Sequence, residues 1–269
     1  MERVATGIPG FDELVGGGFP KAFNILLTGS PGSGKTIFGQ QFLYNGAIAG
    51  HPGVYISLDM SDAIFRQQGD QFGWDIEKLE NEDKLAIVKV PLDRKSVRLF
   101  DKIREEVKRI KAERVVFDSL ASFSINIDQF DVPLVYDEEI TKVLNSSNMS
   151  DKELFYSGGS EQRTTYLTIN HLSKLGTTNV IITDRVEGEN KLTVDGVSEF
   201  VCDGVIQFDI ADLGIRVNSE NLYPNRLPAP YSFSIPFRPY ASDTFSSKEM
   251  KNGSERNMFL TNAFCPCRV

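Results

Sequence analysis

Basic residues are in short supply in this chain. Across 269 residues, 29 lysines and arginines face 37 aspartates and glutamates, giving a net charge of −8 and a pI of about 5.0. That balance speaks against a chain-wide electrostatic footprint for nucleic acid, whose phosphates are met by lysine and arginine. Cysteine is scarce too: Cys202, Cys265 and Cys267. An odd number of cysteines with no visible secretory signal fits a reduced, intracellular setting and not a disulfide scaffold. The only histidines, His51 and His171, stand far apart, and Cys265-Pro266-Cys267 has no second pair beside it, so neither set predicts a metal site. Long apolar runs are missing: no stretch of about 18 residues could span a bilayer, so no membrane segment is expected. The opening MERVATGIPG shows no basic segment followed by an apolar one, so no secretory signal is expected and the expected location is cytoplasmic. No internal repeat is visible.

What is present is an ordinary globular balance, 41% hydrophobic and 25% charged, arranged as alternating strands and helices. NILLTG (24–29) reads as a buried strand and KTIFGQQFLYNGAI (35–48) as a helix. GVYISL (53–58) is a second strand, followed by a helix over 61–73 with Ser61 as its N-cap. KLAIVKV (84–90) is a third strand. From Ser96 onward Val97, Phe100, Ile103, Val107 and Ile110 fall on one face of an amphipathic helix. RVVFDSL (114–120) is an apolar strand, 161–176 a helix closed by Gly176, and NVIITD (179–184) another strand. Strands separated by helices of this length predict an α/β fold with a mostly parallel sheet covered on both faces. Beyond about residue 199 the short pieces GVIQFDI, GIRVN and YSFSIPF predict an antiparallel β extension at the sheet edge.

Between an apolar strand and a helix stands GSPGSGKT: Gly29, Ser30, Pro31, Gly32, Ser33, Gly34, Lys35 and Thr36. This is the Gly-x-x-x-x-Gly-Lys-Thr pattern of a P-loop. Its glycines let the backbone curl so that successive N–H groups face phosphate oxygens, and the following helix N-terminus adds a favourable dipole. Lys35 is expected to bridge the terminal phosphates, and the Thr36 hydroxyl to ligate Mg²⁺. Asp118, closing the strand of Val115, Val116 and Phe117, is the expected second Mg²⁺ partner. Thr183 and Asp184 end a core strand on the same side, where a polar residue could sense the phosphates.

From Thr6 to Ser57 the chain is similar throughout to the KaiC-like branch of the RecA superfamily of ATPases. Thr6-Gly7-Ile8, the Phe11-Asp12-Glu13-Leu14 turn and Gly16-Gly17-Gly18-Phe19-Pro20 carry the resemblance, as do FRQQGDQFGWD (65–75), RVVFDSL and GVSEFVCDGVIQF (196–208). Roughly 4–120 and 161–210 are covered. The resemblance implies a RecA-like core, ATP as ligand and assembly into a ring, usually a hexamer, with nucleotide at the subunit interfaces. It places one nucleotide-binding domain over 1–239 and leaves 240–269 as a C-terminal extension.

Two departures bear on hydrolysis. The family commonly carries two adjacent glutamates after the second strand, one of which activates the attacking water; here Asp59 and Met60 stand there. Asp59 is the one candidate base, shorter by a methylene, and Met60 accepts no proton. The family also often presents a Lys-x-Arg finger after the GVIQF strand; Ser219 and Asn221 stand where its bases would be, with Arg216 and Arg226 as the alternative cations. The expectation is an ATP-binding protein with weak or slow hydrolysis, its nucleotide state regulating assembly or a protein partner. The second reading, a recombination or repair relative binding single-stranded DNA, requires basic and aromatic pore loops. The segment 125–160 instead holds seven acids against two lysines, a net charge of −5. A short helix is expected around 137–145.

Overall fold

The structure, a computed structural model, describes residues 1–58, 60–89, 99–125, 160–185, 192–211, 214–220 and 231–235. A small antiparallel sheet comes first, β1 (Arg3–Val4) against β2 (Phe19–Pro20), with α1 (Phe11–Leu14) between them. Asp12 holds this segment together: its carboxylate accepts from Thr6 N (2.8 Å), Thr6 Oγ1 (2.7 Å) and Gly7 N (2.9 Å). The main chain then alternates through β3 (Asn24–Gly29), α2 (Lys35–Ile48), β4 (Gly53–Ser57), α3 (Asp62–Gln71), α4 (Ile76–Asn81) and β5 (Leu85–Lys89). It continues with α5 (Leu99–Arg109), β6 (Arg114–Asp118), α6 (Leu120–Ile125), α7 (Ser160–Ser173) and β7 (Thr178–Ile182). Last come α8 (Ser198–Val201), β8 (Gly204–Ala211), β9 (Gly214–Glu220) and β10 (Tyr231–Ile235).

Eight strands form one sheet in the order β10-β9-β8-β3-β7-β6-β4-β5. The six from β8 to β5 run parallel, and β9 and β10 extend the edge antiparallel, as the C-terminal pieces predict. Parallel strands covered on both faces need apolar side chains on both, which is why β3 and β6 read as continuous hydrophobic runs. Ile25, Leu27, Tyr55, Val116 and Ile182 face a layer that includes Phe38 and Phe42 of α2. Leu26, Val54, Ile56, Val115 and Phe117 face the opposite layer, with Phe100, Ile103 and Val107 of α5 and Ile169 and Leu172 of α7. The close seat of α2 on the sheet depends on Gly39, where a Cβ would fall 2.9 Å from Val116 Cγ1.

Most elements lie where the sequence places them. The side chain of Ser61 caps α3 by accepting from Ile64 N, and Asp75 caps α4 in the same way from Lys78 N. The amphipathic helix is described from Leu99, with Phe100, Ile103 and Val107 buried along it. Trp74 is core, stacked between Tyr44 and Phe72. The helix expected around 137–145, most of the acidic insertion and the extension 240–269 lie outside the described residues. Among the described residues no helix is long and apolar enough to cross a membrane.

Candidate functional site

Register brings the carboxyl ends of the parallel strands into line. Gly29 pairs with Phe208, Ser57 with Asp118, and Asp118 with Ile182. Because β7 lies between β3 and β6, the chain leaving β7 emerges between the loop after Gly29 and the carboxylate of Asp118. Open α/β sheets bind ligands in this position, beyond the carboxyl ends of their strands.

The loop 29–34 begins where β3 meets its neighbour most tightly. At Gly29 (φ +154°) an added Cβ would sit 2.2 Å from the carbonyl oxygen of Phe208, so only glycine fits. The loop closes through Ser33 N donating to Ser30 O (3.2 Å), and α2 starts at Lys35. Lys35 is buried, and its ammonium donates to Gly29 O (2.8 Å) and Ser30 O (2.9 Å) and pairs with Asp184 Oδ1 at 3.1 Å. Three acceptors match the three N–H donors of a lysine.

Across β7, Thr36 Oγ1 donates to Asp118 Oδ2 (2.8 Å). The same carboxylate oxygen accepts from the hydroxyl of Tyr55 at 2.7 Å. Tyr55 is fully buried on β4, two residues before Ser57, which is the register partner of Asp118. Sequence reasoning paired Thr36 with Asp118 but missed Tyr55, which reads there as one more apolar strand residue; an aromatic with a polar tip inside a buried run is the signal that could have found it. Asp184, considered from sequence for its position alone, meets Lys35 directly.

Asp59 lies outside the described residues. Its neighbours do not: Met60 N donates to Ser57 Oγ (2.8 Å), and Ser57 Oγ donates to Met60 O (2.9 Å). Met60 packs against the core beneath α2, its sulfur 3.7 Å from Gln40 Nε2, which also donates to Gln68 Oε1 at 2.9 Å.

The residues fit a phosphate chain and a hard divalent cation. Ser33 Oγ is fully buried in the loop with no hydrogen-bond partner among the described residues. Such an orphan costs about 1–3 kcal/mol, and an oxyanion held by the loop would relieve it. The Gly32 Cα faces open space, with nothing within 4 Å of an added Cβ. A hydroxyl and a carboxylate on adjoining elements are the oxygen donors that suit Mg²⁺.

Comparison with known proteins gives the family. The KaiC ATPase family model matches residues 4–135. The UPF0273 protein MJ1359 of Methanocaldococcus jannaschii is 31% identical over 232 residues, 79% of this chain and 82% of that protein. The chain belongs to the KaiC-like ATPases of the RecA superfamily. A UPF0273 protein of Pyrococcus furiosus is 40% identical to this KaiC-like chain over 142 residues, 47% of this chain and 58% of its own length. This match and similar ones span little more than half the length of the curated relatives concerned. Among solved structures, the KaiC-like protein PH0186 of Pyrococcus horikoshii superposes with a TM-score of 0.62 at 32% identity, covering 86% of this chain and 94% of that one.

Proposed function

We propose that this KaiC-like ATPase binds Mg²⁺-ATP at the end of β3, hydrolyses it slowly, and uses its nucleotide state to regulate a ring assembly or a protein partner. The observation that carries the reading is the convergence of Lys35, paired with Asp184, and Thr36, bonded to Asp118, beyond the carboxyl ends of the adjacent central strands β3, β7 and β6. Lys35 supplies the positive charge that meets the terminal phosphates, and the backbone of 29–34 with the first turn of α2 adds N–H donors. Thr36 and Asp118 hold Mg²⁺, which when bound neutralises charge on the phosphate oxygens. Tyr55 and Thr36 keep the Asp118 carboxylate in one orientation, so the acid is set before the ligand arrives.

Slow hydrolysis follows from the residues after β4. Asp59 is the base in this reading, and Met60 adds none, since a thioether accepts no proton and its sulfur packs against the core near Gln40. General-base catalysis is worth roughly 10²–10⁴ in rate, which sets the scale of what a poorly placed base forfeits. Ring assembly is supported by family membership and by exposed apolar side chains, of which Val194 is tied to Asp184. Phe200 is 74% exposed and Val194 49% exposed, and Val194 N donates to Asp184 O at 3.2 Å.

The test is equilibrium binding of Mg²⁺-ATP to the purified chain and to Lys35→Ala, with particle mass measured by light scattering with and without nucleotide. The reading expects binding at least tenfold weaker for Lys35→Ala and a mass several times the 30.0 kDa chain. Equal binding by the variant would remove Lys35 from the site, and a monomer under all conditions would remove the ring.

A further inference from the structure

The acceptors around Lys35 are not equivalent. Gly29 O and Ser30 O belong to the backbone of the loop itself, whereas Asp184 Oδ1 is on a side chain that is 43% exposed. The backbone around Asp184 is fixed on both sides. Thr183 N donates to Leu27 O (2.9 Å), and Arg185 N donates to Gly29 O (3.2 Å). Position 184 is therefore held against the first residue of the phosphate loop, with a carboxylate aimed at the one ammonium the loop owns.

We propose that Asp184 is an internal counter-anion of the phosphate site, which the terminal phosphates of a nucleotide displace from Lys35. The proposal rests on the phosphate-binding role given to Lys35 above. A lysine has three N–H donors and these three acceptors use all of them, so a phosphate oxygen that engages Lys35 must take the place of one. The two carbonyls are part of the curled loop and cannot leave without unwinding it. The carboxylate can turn toward solvent, and like-charge repulsion from an oxyanion beside it favours that movement. Asp184 thus lowers the affinity of the loop for its own ligand. The penalty is larger for a nucleoside triphosphate than for a diphosphate, because a P-loop lysine reaches the last two phosphates. In this role Asp184 sets nucleotide affinity and the preference between ATP and ADP. A residue that instead ordered Mg²⁺ or its waters would act with the opposite sign.

The experiment compares dissociation constants of Mg²⁺-ATP and Mg²⁺-ADP for wild type, Asp184→Asn, Asp184→Ala and Lys35→Ala, with thermal melts confirming that each variant is folded. Two Asp184 variants are included so that misfolding of one leaves the other to be read. A partly exposed ion pair is worth roughly two- to fivefold in a binding constant. The expected result is therefore ATP binding about threefold or more tighter in the Asp184 variants, with a smaller gain for ADP. Unchanged or weaker ATP binding by folded Asp184 variants, while Lys35→Ala loses binding, would overturn the counter-anion role alone. Wild-type binding by Lys35→Ala would overturn the phosphate-site reading beneath it.

Discussion

Replacing Tyr55 by phenylalanine removes one oxygen atom from a fully buried position and leaves the ring in place. The lost atom is the donor of a 2.7 Å hydrogen bond to Asp118 Oδ2, which also accepts from Thr36 Oγ1 at 2.8 Å. Hydrogen bonds to charged acceptors contribute about 1.5–3 kcal/mol. Because Thr36 still serves the same oxygen, the cost should lie near the low end, about 1.5 kcal/mol. For a domain of this size that corresponds to a fall in Tm of roughly 3–6 °C. The carboxylate would also lose a bond that fixes its orientation, so the Mg²⁺ concentration giving half-maximal ATP binding should rise severalfold. ATP binding in EDTA should stay as in wild type, since the phosphate loop is untouched. A calorimetric melt and a fluorescent-nucleotide titration against Mg²⁺ read both effects. An unchanged Tm together with an unchanged Mg²⁺ requirement would refute the claim that Tyr55 orients Asp118.

Further outcomes follow from other contacts. Gly39→Ala puts a Cβ 2.9 Å from Val116 Cγ1 and 3.3 Å from Ile182 Cδ1, and should destabilise by about 1–3 kcal/mol in urea unfolding as α2 is pushed off the sheet. Arg114 is buried beneath α2, donating to Phe42 O (2.8 Å) and Ala5 O (2.9 Å), and burial pushes its guanidinium down to about 10. A folded pKa below the ordinary 12.5 means that keeping the buried guanidinium charged costs stability at neutral pH, a cost relieved only as pH climbs past about 10. Arg114→Met should remove that alkaline rise, read as urea midpoints at pH 9.5 and 11 for both proteins. Single-stranded DNA should not bind measurably at about 0.15 M salt, where weak electrostatic contacts are screened; a salt-dependent fluorescence shift with oligonucleotide would instead support the recombinase reading of the insertion.

The apolar run before the glycine loop and the helix-like run after it located β3 and α2 to the residue, because a strand buried on both faces and a long helix after such a loop leave little choice. The P-loop, Thr36 and Asp118 were legible for a related reason: their spacing encodes the chemistry, and strand alternation aligns the ends. Less visible was α4, whose six residues are too short for a periodic signal and depend on the Asp75 cap. Contacts between strands were the least legible. That β7 lies between β3 and β6, and so delivers Asp184 to Lys35, is a fact of sheet order that no local pattern records. Tyr55 is hidden in the same way, since burial of its ring and bonding of its hydroxyl look alike in one letter. Asp59, the candidate base, falls outside the described residues and continues as a proposal.

The central claim, a site that grips ATP but turns it over slowly, is tested most directly by phosphate release in a single turnover with ATP bound at a saturated site. Wild type is measured beside Asp59→Asn and Met60→Glu. Slow hydrolysis in wild type, less in Asp59→Asn, and a gain of at least tenfold when a carboxylate is restored at position 60 is the predicted pattern. Rapid release by wild type that neither substitution changes would contradict it.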